Sequence, residues 1–151
     1  MRLFQSIVTS ASGLTAERLR MDIIANNIAN ANTTRTGKLE ANGDQIPYRR
    51  KVSVFAPREP APSFQDALNK EMSVGNGVRV EGIREDQSDF KVVYDPHHSD
   101  ANASGYVRLP NVDSVTEMVD LISASRAYEA NVTAINTAKS MAMKALEIGR
   151  G

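Results

Sequence analysis

Ala25-Asn26-Asn27-Ile28-Ala29-Asn30-Ala31-Asn32-Thr33-Thr34 is the stretch at which this 151-residue chain changes character. Its asparagines are poor helix-interior residues but good caps and turn formers, because their amides bond nearby backbone groups. One reading is the end of a helix running into a polar loop. The other is a set of amides (Asn26, Asn27, Asn30) aimed at groups of neighbouring subunits. The residues alone leave both open. Upstream, residues 3 to about 30 read as a helix. Phe4, Ile7, Ala11, Leu14, Met21, Ala25 and Ile28 follow alternating three- and four-residue steps, interrupted by Arg18. Gly13 costs about 1 kcal/mol relative to Ala inside a helix, so packing rather than propensity must hold this segment.

Downstream, residues 33–75 read as loop-like, with Gly37, Asn42-Gly43, Pro47, Pro57, Pro60 and Pro62. Within them Tyr48 to Phe55 alternates as a short strand. Asn76-Gly77 signals a tight turn. Val78 to Ile83 and Phe90 to Tyr94 are further strand candidates, Asp95 to Gly105 is a polar loop, and Tyr106 to Leu109 is extended up to Pro110. A second long helix follows. Asp113 or Ser114 caps it, and Glu117 three residues after Ser114 makes a capping-box pattern. Its expected seam is Met118, Leu121, Ser125, Tyr128, Val132, Ile135, Ala142 and Leu146, with Lys139 intruding; Gly149 and Gly151 stop it. The expected fold is α+β. A rod-like domain of two paired helices (residues 1–34 and 110–151) brackets a small β-rich, irregular middle region (residues 35–109).

Composition limits what such a chain does. Hydrophobic residues make up 41%, with 4 Phe, 4 Tyr and no Trp, so the central core is small and some apolar surface awaits a partner. Residues 1–60 carry nine Lys/Arg against five Asp/Glu and residues 61–151 nine against thirteen, an asymmetry that can favour head-to-tail stacking of identical subunits and is equally common on ordinary surfaces. The absence of cysteine removes disulfides and thiolate chemistry together. No basic patch with interleaved aromatics suggests nucleic-acid binding, no continuous apolar core of a signal peptide follows Arg2, and no stretch approaches the roughly 20 apolar residues that span a bilayer.

Asp95, His97, His98 and Asp100 form the one cluster resembling a metal or acid–base site. Adjacent histidines in an extended loop diverge, and no His-to-His helical spacing is present; a surface loop is the better reading. Phosphate loops and Gly-x-Ser-x-Gly are missing. No catalytic, cofactor or metal residue is therefore assigned. Arg49-Arg50-Lys51 reads as a solvated strand edge.

The two ends carry a resemblance. Residues 10–34, with Ser12-Gly13-Leu14 and Ala25-Asn26-Asn27-Ile28-Ala29-Asn30, resemble the N-terminal signature of the flagellar rod and hook family. Residues 110–131, from Pro110-Asn111-Val112 to Glu129-Ala130-Asn131, resemble its C-terminal motif. Tyr94-Asp95-Pro96-His97 through Ala101-Asn102 to Gly105-Tyr106-Val107 is similar to the short proximal-rod members. The resemblance implies a non-enzymatic subunit whose terminal helices form the inner wall of a helical tube that transmits torque, exported uncleaved through the flagellar type III channel to the basal body. It implies as partners copies of the chain, other proximal and distal rod proteins and the components that initiate the rod, without small-molecule substrate or nucleic acid. The expected assembly interface is Phe4, Ile7, Leu14, Met21, Asn26, Asn27, Ile28 and Asn30 with Met118, Leu121, Tyr128, Val132, Ile135 and Leu146. The competing expectations are a monomeric helical adaptor of the export system and, further off, a small hydrolase using the Asp95–Asp100 loop.

Overall fold

Helix α1 runs Arg2–Ala29 and helix α2 runs Ser114–Ile148, about 42 and about 52 Å long at 1.5 Å per residue. Between them lie β1 (Lys51–Pro57), β2 (Val78–Glu85), β3 (Lys91–Tyr94) and β4 (Tyr106–Leu109). They pair as two separate two-stranded sheets, β1 with β2 and β3 with β4. The fold is α+β. This computed structural model describes residues 2–37, 45–58, 76–102 and 104–149. The loop features read at Asn42-Gly43, Pro60 and Pro62, Ala103 and the helix stop at Gly151 lie outside them.

Local chemistry sets the element ends. Asp113 Oδ1 accepts hydrogen bonds from the backbone N–H of Val115 (3.0 Å) and Thr116 (3.1 Å), so Asp113 is the N-cap of α2. The capping box expected from Ser114 and Glu117 is not made, because Glu117 is turned inward and buried. Antiparallel β3 and β4 are in register from Lys91 opposite Leu109 to Tyr94 opposite Tyr106. Gly105 (φ 79°) closes their connection, where any Cβ would meet the Tyr94 ring at 2.9 Å.

The chain forms two compact units. The first holds residues 1–20, 53–82 and 123–151. Its buried apolar side chains among the described residues are Ala16, Ala124 and Ala138. Where α1 meets α2, a Cβ on Gly13 would lie 3.0 Å from Asn131 Nδ2. Alanine and glycine let two helix backbones approach closely while burying little apolar area. The start of β2 is pinned to α1: Ser12 Oγ donates to Thr9 O (2.6 Å) and accepts from Val78 N–H (3.0 Å), and Gln5 Nε2 donates to Asn76 Oδ1 (2.9 Å). Asn76-Gly77 thus does more than turn the chain. It presses against a helix.

The second unit holds residues 21–52 and 83–122. Ile23, Ile24, Tyr48, Val107 and Val112 form its core, with Pro47 and Pro110 also buried. Here the end of α1 meets the start of α2 through Asn27 and Glu117.

Within the chain the helix seams are displaced from the expected ones. On α2 the d-like row Leu121, Tyr128, Ile135 and Ala142 is half-buried, as periodicity suggests. Its companion row is Glu117, Ala124, Asn131 and Ala138, one position before Met118, Ser125, Val132 and Lys139. On α1 the row Ile7, Leu14, Met21, Ile28 is half-buried, but Phe4, Ala11, Arg18 and Ala25 are all exposed, and burial centres on Ala16, Ile23, Ile24 and Asn27. Arg18 and Lys139, the two charges within the expected seams, lie on outward rows. Hydrophobicity alone misplaces a row built from alanine and asparagine.

Gly77 provides a test. Its φ is 95° and an added Cβ would stand 2.3 Å from Ser12 Oγ, whereas Gly82 has open space around that position. Gly77→Ala is expected to cost at least about 1 kcal/mol of stability, and Gly82→Ala to stay within about 0.5 kcal/mol of the parent. Urea denaturation of the purified variants measures both.

Candidate assembly surface

A buried polar lock organises the second unit. Asn27, 1% exposed, treats Lys51 as a strand partner would: its Nδ2 donates to Lys51 O (2.8 Å) and its Oδ1 accepts from Lys51 N–H (3.0 Å). The same Nδ2 donates to Glu117 Oε2 (3.0 Å), and the Tyr48 hydroxyl lies 3.0 Å from Oδ1 of both Asn26 and Asn27. Glu117, also 1% exposed, accepts from Arg50 Nε at 2.6 Å through its other oxygen. Arg50 reaches Asp86 (3.5 Å) and Asp120 (3.4 Å), and its backbone N–H donates to Asn111 Oδ1 (2.8 Å). A buried carboxylate is tolerated only with a cation and hydrogen bonds on its oxygens; Glu117 has both. An asparagine suits the position next to it because its amide offers a donor and an acceptor at once.

The electrostatics follow from these contacts. Burial, reinforced by the negative charges of Glu117 and Glu85, pushes the Tyr48 hydroxyl above its ordinary pKa. Desolvation works against the Arg50 charge, but the hydrogen bond and attraction from Glu117 outweigh it, with help from Asp86, so its pKa is raised. Asp86 is held below the usual carboxylate range, chiefly by the backbone N–H of Ser88. Asp113 is lowered by the N–H groups it caps, Thr116 and then Val115, and by Lys91.

The basic run therefore is not a solvated edge. Arg50 sits in the lock, Arg49 lies over the Phe90 ring (4.4 Å) and donates to Asp86 O (2.9 Å), and the Lys51 ammonium is 5.7 Å from the Tyr48 ring centre. Sequence reasoning missed Tyr48, Arg50 and Glu117. The one available signal was Glu117, noticed as the capping-box partner of Ser114 and standing one position before the expected seam residue Met118. Asn30 closes the end of α1 locally, donating from Nδ2 to Asn26 O (2.9 Å) and accepting from the Thr33 hydroxyl (3.2 Å). Asn26, Asn27 and Asn30 thus all make hydrogen bonds within the chain.

The expected interface residues fall into three groups. Asn27 is buried. Ile7, Leu14, Met21, Ile28, Asn30, Leu121, Tyr128, Val132 and Ile135 are half-buried. Asn26, Phe4 (65%), Met118 (52%) and Leu146 (66%) are exposed. More apolar side chains join the exposed set than sequence reasoning named. Val8, Met141, Met143 and Ile148 belong to the first unit, and Val115, Val119 and Ile122 to the second. Val115, Met118, Val119 and Ile122 recur at helical spacing and make an apolar stripe on the first two turns of α2.

The histidine loop is a pinned surface turn. His98 Nδ1 accepts from Asp100 N–H (3.1 Å), His97 is exposed, and Asp100 accepts from the Thr34 hydroxyl (2.7 Å) and pairs with Arg35. Among the described residues no three His, Asp or Glu side chains converge as metal ligands would.

Residues 7–35 match a family model described as flagella basal body rod protein, and residues 103–148 match one described as flagellar basal body rod FlgEFG protein C-terminal. The chain is 55% identical to the flagellar basal-body rod protein FlgC of Bacillus subtilis, over 99% of this chain and 100% of that protein. It is 51% identical to FlgC of Borreliella burgdorferi over the whole of both chains. It is 41% identical to FlgC of Escherichia coli O6:H1 over 99% of this chain and 100% of the relative.

Two outcomes test the lock. Asn27→Ala leaves the Lys51 N–H and a Glu117 oxygen short of a partner, while the Tyr48 hydroxyl keeps Asn26 Oδ1; it is expected to cost roughly 2–4 kcal/mol, against less than about 1 kcal/mol for exposed Asn26→Ala; urea midpoints measure both. Stability should also fall at both pH extremes. Carboxyls lowered on folding, Asp86 and Asp113, contribute stability that is complete above about 3.9 and lost as pH falls through their folded values. Raised Tyr48 contributes stability that is complete below about 10 and lost as pH rises through its folded value. Tyr48→Phe should weaken the alkaline fall and leave the acid one unchanged.

Proposed function

The chain belongs to the flagellar basal-body rod protein family, and from that premise we propose that it is a proximal-rod subunit that assembles through its terminal helices into a helical tubular drive shaft. It is a structural protein of the flagellar basal body and not an enzyme. The observation that carries the finer reading is the apolar surface its helices leave uncovered. Phe4, Val8, Val115, Met118, Val119, Ile122, Met141, Met143, Leu146 and Ile148 are each more than half exposed. An isolated monomer seldom tolerates so much, and contiguous apolar surface marks interaction sites.

In this proposal residues 1–34 and 110–151 make the rod wall and residues 35–109 face outward. Phe4, Met118 and Leu146 enter the interface, while Ile7, Leu14, Met21, Ile28, Leu121, Tyr128, Val132 and Ile135 line its rim. Neighbours are copies of the chain, other proximal and distal rod proteins and the components that start the rod. Torque passes through alanine-packed helix contacts, which leave little slack. Export is uncleaved, through the flagellar type III channel. A first unit whose buried apolar side chains among the described residues are three alanines is marginal alone. Its helices gain order when neighbours cover them.

Helical content of the purified chain should rise with concentration by circular dichroism, in step with its sedimentation coefficient. A concentration-independent, fully helical monomer would instead favour an adaptor. In cells, Leu14→Asp or Val132→Asp should abolish incorporation into rods while export continues. Normal rods from either variant would remove the helix surface from the interface.

A further inference from the structure

The chain has no cysteine and no tryptophan but six methionines. Its thioethers are therefore its readiest sites of two-electron oxidation. Among the described residues, Met21 on α1 is half-buried, whereas Met118, Met141 and Met143 on α2 are 52%, 54% and 54% exposed. Met118 sits in the exposed apolar stripe of Val115, Val119 and Ile122. Met141 and Met143 flank half-buried Ala142 and stand with exposed Leu146 and Ile148 near the end of the helix.

An exposed thioether on an apolar surface combines two properties. A peroxide in the solvent reaches its sulfur directly, and packing against a neighbour needs that same sulfur to stay apolar. Oxidation sets the two against each other. The sulfur lone pair attacks one oxygen of hydrogen peroxide and the O–O bond breaks. The hydroxide that leaves takes the proton of the transferred oxygen and departs as water. Sulfur loses two electrons and the peroxide gains them. The product sulfoxide is polar, and a polar group buried without a hydrogen-bond donor costs free energy.

We propose that Met118, Met141 and Met143 are peroxide-oxidation sites of the free subunit, and that their sulfoxides keep it from associating. The inference deepens the self-assembly reading and rests on it. Association covers these side chains and takes their sulfurs out of reach of the peroxide, so the modification acts on free chains and spares assembled ones. Leucine at the same positions would offer a similar apolar volume. Only the thioether can be converted from apolar to polar in place, and sulfoxide reduction converts it back.

Hydrogen peroxide treatment of the full chain, followed by peptide mass mapping and sedimentation, tests this. In dilute solution Met118, Met141 and Met143 are expected to gain oxygen several-fold faster than Met21. The oxidised chain should need about tenfold higher concentration to associate, a shift of about 1.4 kcal/mol, and methionine sulfoxide reductases acting on both epimers should reverse it. Its urea midpoint in dilute solution should stay with the parent's, because the three positions are exposed. A chain carrying Met118→Leu, Met141→Leu and Met143→Leu together should associate as the parent does and ignore the same dose of peroxide. Equal oxidation of Met21, unchanged association after oxidation, a loss of association that tracks a fallen urea midpoint, or a triple variant as sensitive as the parent would each overturn the switch and leave self-assembly standing. An unoxidised chain that sediments as a monomer at every concentration would overturn both.

Discussion

The second unit depends on one buried hydrogen-bonded group, the Asn27 amide between Lys51 and Glu117. A helix and a strand have no natural way to satisfy each other's polar groups, since helical backbone bonds are internal and strand bonds point sideways. Asn27 solves this by carrying a side-chain copy of the peptide group on α1. Lys51 pairs with it as with another strand, and the spare N–H reaches α2 through Glu117. Arg50 then makes the carboxylate bearable. Three segments far apart in sequence meet at one residue, and each remaining polar atom inherits a partner from that meeting.

The first unit is built on a different principle. Its contacts rest on close approach, with Gly13 beneath Asn131 and Ser12 beneath Gly77, and with alanine where a self-sufficient bundle would hold leucine or isoleucine. Close approach gives a stiff contact at low apolar cost. It also leaves the larger side chains, such as Phe4, Met141 and Leu146, pointing away from the interior. Under the proposed assembly, the interior would fix geometry and the hydrophobic driving force would be left for the surface that meets neighbours.

Much of this was legible from the residues. Helix periodicity located α1 and α2 to within a residue or two, Asp113 was named as a possible cap, and β2, β3 and β4 fell where alternation put them. The family signature at both ends matched what the relatives bear out. The asparagine cluster was noticed as unusual, but its role was not readable, because an amide's partner is decided by what folds beside it.

The sequence by itself determined which segments are helical and that the chain is α+β; these depend on spacing and composition within single segments. Tertiary structure alone decided that Asn27, Tyr48, Arg50 and Glu117 share one site, and that the helix seams run through Ala124, Asn131 and Ala138 instead of the next row. Alanine and asparagine are nearly silent in hydrophobic patterning, so only the distance of approach between two helices tells which of two adjacent rows turns inward.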